Sequence, residues 1–125
     1  MPHIVIDYTD NLAEQPDFRA LFGELHQALI ALGDIAPADL KSRAVKLTDW
    51  YVGHGEAGHA FVHVKLHLIN RRSVEFKQRA VAAMQAVVAA HFARSLAERD
   101  CQLCFETIDI DGATYAKTVS PQRQN

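Results

Sequence analysis

The sequence predicts an α+β fold in which two consecutive βαβ units form a four-stranded sheet with two helices on one of its faces. Three observations predict it. Four segments read as strands, two long segments with helical periodicity each lie between a pair of them, and the order strand, helix, strand runs through twice within 125 residues. An apolar content of 49% against 22% charged residues suits one domain, residues 1–125, with a single core.

Residues 2 to 8, Pro-His-Ile-Val-Ile-Asp-Tyr, form the first expected strand, ending at the turn-prone Thr9-Asp10-Asn11. Asn11 with Glu14 three positions later resembles a capping box, and Pro16 suits a first helical turn. Phe18, Leu21, Phe22, Leu25, Leu29 and Leu32 then recur at helical spacing until Gly33 stops the helix. After a turn carrying Pro37, residues 42 to 52 form the second strand and complete a first unit over 1–52. A glycine-rich break, Gly53 to Gly58, precedes the second unit over 59–110. Its parts are a strand over 59–69, an Ala-rich helix capped by Ser73 and running to about Arg99, and a strand over 101–110.

The connection lengths permit right-handed crossovers that lay both helices on the same side of the sheet. Strand 59–68 agrees: Ala60, Val62, Val64, Leu66 and Leu68 fall on one face, while His59, Phe61, His63, Lys65 and His67 fall on the other. The first set suits the helices and the second a polar oligomer interior, so the bare face calls for a further subunit. Residues 111–125 form a polar C-terminal extension that either reaches over a neighbour or frays in solvent.

Several function classes drop out. The formal charge is −2 and the basic residues are scattered, which disfavours nucleic acid as a partner. No run approaches the roughly 20 apolar residues of a membrane span, and Asp7 comes too early for a signal peptide, so a cytoplasmic protein is expected. There is no nucleophile elbow and no phosphate-cradling glycine loop. Cys101 and Cys104 spell CxxC but sit in a strand, where they read as structural thiols. His59, His63 and His67 are spaced by roughly 13 Å from one to the next in a strand rising about 3.3 Å per residue, too far to share one ion, and no metal is expected.

Pro2 is the candidate base. An initiator Met before a small residue is commonly removed, which leaves Pro2 as a free secondary amine at the start of a strand. An apolar pocket and nearby cations both favour a neutral amine, fit for general base work near pH 7. The position equally suits a proline that merely begins a strand. Arg71 and Arg72 precede Ser73, and Lys41 and Arg43 open the second strand; cations at element ends suit carboxylate capture, or else are solvated surface charges.

Pro2-His3 opening an apolar strand that runs to Asp10-Asn11, Ser42-Arg43 in strand two, Phe61-Val62-His63 in strand three, and Arg72-Ser73 with Glu75 together resemble the 5-carboxymethyl-2-hydroxymuconate isomerases of the tautomerase superfamily. The resemblance covers nearly the whole chain. It implies a tautomerase/MIF-like fold, a homotrimer with sheets facing inward, no cofactor, and a catalytic Pro2 that shuttles a proton from a dienol hydroxyl to carbon. Carried over by position, Arg72 is implied to hold a substrate carboxylate. Arg43 matches the second arginine of the family's Arg-Ser-Arg segment, and Lys41 stands where its first would be. Lys for Arg replaces a planar fork with a point charge, and Asn70-Arg71 replaces a glycine-rich loop, so the preferred small-molecule polycarboxylate is open to change. Two other readings use the same element order: a non-catalytic ligand-binding or oligomerisation domain of ferredoxin-like plan, and a different proline-based reaction within the superfamily.

Overall fold

A computed structural model describes residues 2–123; Met1, whose removal the catalytic reading requires, and the last two residues of the C-terminal extension lie outside the described residues. The strands are β1 (His3–Thr9), β2 (Lys41–Leu47), β3 (His59–Ile69) and β4 (Asp100–Ile110), and the helices are α1 (Phe18–Ile30), α2 (Val74–His91) and the short α3 (Ala93–Glu98).

The sheet order is β2-β1-β3-β4, with β1 parallel to β2, β3 parallel to β4, and β1 antiparallel to β3. Each unit's two strands therefore pair directly. A ferredoxin-like sheet would instead split each unit with a foreign strand, so that plan is excluded.

One face carries the core. Ala60, Val62, Val64, Leu66 and Leu68 are at most 1% exposed, as are Ile4 and Ile6 beside them. Against them pack Leu21, Leu25 and Leu29 of α1 and Ala80, Met84 and Val88 of α2, both sets spaced by four so that one helix stripe meets the sheet.

The helix boundaries depart from expectation at two places. α1 is capped by Asp17, whose carboxylate accepts from the Ala20 N–H at 3.1 Å, rather than by an Asn11–Glu14 box, and Pro16 lies just outside the helix. Glu14 instead caps α3, accepting from the backbone N–H groups of Arg94 and Ser95 and from the Ser95 hydroxyl. Burial pushes Glu14 up, but these hydrogen bonds, that from Ser95 foremost, bring it below the ordinary carboxylate range. The second helical stretch breaks at Phe92, which is buried with φ −113° and ψ 29°, so the chain turns there and α3 begins. The second strand also ends early, at Leu47; beyond it, the Trp50 indole donates to Asp10 at 2.9 Å.

No helix of the described residues is long and apolar enough to cross a membrane. The thiols of Cys101 and Cys104 are free and, three apart in a strand, point to opposite faces; burial pushes the Cys101 thiol up.

Candidate active site

Strand directions gather four segments at one end of the sheet. β1 starts there; β2, parallel to it, also starts there, preceded by the loop over 34–39; and β3, antiparallel, ends there and delivers Asn70, Arg71 and Arg72. Pro2 is buried at this end, its carbonyl accepting from the Lys41 N–H at 3.2 Å. A cavity of about 170 Å³ opens onto it, walled by Asp34 to Ala36, Asp39, the Leu68-Ile69 end of β3, Arg71 and Arg72.

Arg72 is held from two directions. Its Nη2 donates to the Asp34 carbonyl at 2.8 Å, and its guanidinium lies over the Phe76 ring, 4.7 Å from the centroid. The carbonyl is aimed by an unusual backbone: Gly33 has φ 93° and Asp34, a residue with a Cβ, has φ 62°, a conformation that costs on the order of 1 kcal/mol. Ser73, directly after Arg72, caps α2 by accepting from the Phe76 N–H at 3.1 Å. The helix start and the arginine are thus set by one turn.

Pro2 and Arg72 share the cavity, joined by Arg71. Lys41 stands one wall away: its Nζ donates to the Asp39 carbonyl at 2.7 Å and faces a second recess of about 400 Å³. Arg43 lies further along β2 on the bare face of the sheet, in register with Val5, and does not line the Pro2 cavity of its own chain.

Next to Pro2, His3 receives a hydrogen bond from, or gives one to, the Tyr115 hydroxyl at 3.0 Å according to its tautomer. Burial first, then the charges of Lys41 and Arg43, hold His3 below the ordinary histidine range; burial and Arg43 do the same to His67. Asp39 is drawn below the usual carboxylate range, chiefly by the Lys117 ammonium 2.7 Å away.

Sequence reasoning named Arg71 with Arg72 among the cations at element ends suited to carboxylate capture, and also as a departure from the family's glycine-rich loop, but it missed Asp39 and Lys117. Adjacency to Arg72 was a signal for Arg71. For Asp39 and Lys117 there was none, because each matters only through a residue far away in the chain.

Solved structures share this architecture. A crystal structure of a 5-carboxymethyl-2-hydroxymuconate isomerase from Deinococcus radiodurans R1 superposes with a TM-score of 0.87 at 32% identity, covering 98% of this chain and 92% of that one. A further crystal structure, of a 5-carboxymethyl-2-hydroxymuconate delta-isomerase, gives 0.83 at 22% identity over 99% and 91%, a likeness of fold. The four-stranded mixed sheet with its helices on one face is the tautomerase architecture.

The family model for 5-carboxymethyl-2-hydroxymuconate isomerase matches residues 2–123. The 5-carboxymethyl-2-hydroxymuconate Delta-isomerase of Escherichia coli is 31% identical over 110 residues, 88% of this chain and 87% of its own. The chain belongs to the 5-carboxymethyl-2-hydroxymuconate isomerase family, and it is an enzyme, an isomerase of the tautomerase kind.

Proposed function

We propose that this isomerase, once Met1 has been removed, shifts a proton within 5-carboxymethyl-2-hydroxymuconate or a close relative, with the Pro2 amine as base and then acid and without a cofactor. The observation that carries the reading is the shared cavity: a buried Pro2 facing two arginines.

The steps follow from that arrangement. Pro2 nitrogen takes the proton of the dienol hydroxyl, the oxygen's electrons form the ketone, and the displaced π electrons take the proton back from the prolinium at carbon. Arg72, already oriented by Asp34 and Phe76, and Arg71 bind a substrate carboxylate and oppose the negative charge that develops on the dienolate. While Met1 remains attached, the Pro2 nitrogen is an amide whose lone pair is delocalised into the Met1 carbonyl, so it cannot act as a base. The working form is a homotrimer with bare faces inward, a reading supported by the half-buried row of His59, His63, Lys65 and His67 along β3 and by Val45, left 45% exposed on β2.

The test is ultraviolet turnover of the dienol by untagged protein beside Pro2→Ala, with intact mass confirming loss of Met1. Turnover is expected to fall by at least about 100-fold in the variant. Undiminished turnover would remove Pro2 from the chemistry.

A further inference from the structure

The C-terminal extension returns across its own sheet. β4 is one edge strand and β2 the other, yet the chain after β4 comes back past β3 and β1 to the start of β2. Asp111 begins the return, its carboxylate accepting from the Ala113 N–H at 3.0 Å. Tyr115 then meets His3, with the rings edge-on at 6.1 Å, and Lys117 reaches Asp39, 78 residues earlier in sequence. The tail thereby walls the second recess, which lies between Ala38, Asp39 and Lys41 on one side and Lys117 to Ser120 on the other.

This recess differs from the Pro2 cavity in its charge carriers but shares a wall with it. Asp39 lines both. Two ammonium groups converge on that one residue, Lys41 on its carbonyl and Lys117 on its carboxylate, each at 2.7 Å. Among the described residues that line the recess, two lysines stand beside one carboxylate, which leaves that lining net positive, and Thr118 and Ser120 line it as well.

We propose that the recess is a second carboxylate subsite, in which Lys117 of the tail acts with Lys41 to select substrates bearing a carboxylate remote from the one held at Arg71 and Arg72. Asp39 keeps both ammonium groups in place when the subsite is empty and shares them with the incoming anion. The subsite rests on the proton-transfer reading for its substrate class, and it adds a specificity-determining residue that lies outside the two βαβ units.

The test reads binding and does not depend on turnover, so an inactive Pro2 cannot be mistaken for a missing subsite. Saturated dicarboxylates from succinate to suberate, and the matching monocarboxylates, are titrated into the untagged full chain by calorimetry. The best dicarboxylate is expected to bind about tenfold more tightly than its monocarboxylate partner. Lys117→Gln should abolish most of that preference while leaving monocarboxylate affinity within about twofold, and Lys117→Arg should retain part of it. Tyr115→Phe controls for a tail that Lys117 merely pins: it loosens the tail without removing a cation and should keep the preference. A wild-type chain without a dicarboxylate preference, a Lys117→Gln variant that keeps it, or a Tyr115→Phe variant that loses it equally would overturn the proposal.

Discussion

The two faces of the sheet are built from alternate residues of the same strands, yet they follow different rules. On the helix side of β3, Val62, Val64 and Leu66 are 0% exposed and meet two leucine- and alanine-rich helix stripes. On the other side, His63, Lys65 and His67 are half-buried, and polar groups are matched laterally: Lys65 forms an ion pair with Asp7 at 2.9 Å, and His63 shares a hydrogen bond with Glu106. Apolar burial gains roughly 25 cal/mol per Å², whereas partly solvated ion pairs gain about 1 kcal/mol or less. The helix face therefore holds the fold, and the bare face contributes mainly the charge around the site.

The strongest way to break this comparison is to mutate neighbours on β3. Leu66→Ala should cost about 2–5 kcal/mol in urea unfolding, because it leaves a cavity beneath two helices. Lys65→Ala, one residue away, should cost about 1 kcal/mol or less at concentrations where chains are separate. Equal losses would mean that the bare face carries as much stability as the core.

A smaller effect follows from pH. His3 and His67 both lie on the bare face and are held below the ordinary value of 6.5, so the native state binds fewer protons than the unfolded chain just below that value. Their contribution is fully present above about pH 6.5 and is lost as the pH falls through the depressed values. His3 is faced by Lys41, Arg43, His67 and Tyr115, and His67 by Arg43, Lys65 and Glu106. His67→Gln should flatten the dependence of the urea midpoint between about pH 7 and pH 5; an unchanged slope would assign that dependence to other groups.

The smallest effect is kinetic and sharpens the contrast without changing stability. Cys104 on the bare face is exposed, while Cys101 faces the helices and its thiol is pushed up by burial. In separated chains a thiol reagent should modify Cys104 well before Cys101. In the proposed trimer, with its bare faces inward, Cys104 should be protected, and dilution should restore its reactivity; protection that ignores concentration would argue against inward-facing sheets.

Much of the architecture was legible because strands and helices write their periods locally. Alternation over 59–68 announced which side of β3 is core, and the Leu21, Leu25, Leu29 spacing announced the stripe of α1. The capping boundary was not legible: Asn11 and Glu14 have the right chemistry at the right spacing, but Asp17 wins because Glu14 is engaged by Ser95, 81 residues away. The break at Phe92 was hidden for a similar reason, since a buried aromatic inside an alanine-rich run still looks helical from sequence.

The sequence by itself determined that a strand follows directly on Pro2, that Arg72 sits immediately before a helix capped by Ser73, and that one sheet face is apolar. These are properties of neighbours along the chain, set by β-branching, capping chemistry and side-chain period. Only the tertiary structure decided that β3 runs antiparallel to β1, which brings Arg71 and Arg72 to Pro2, and that the tail returns to set Lys117 against Asp39. Strand order and tail path are chosen by burial and charge pairing between residues distant in sequence, and local patterns carry no record of those partners.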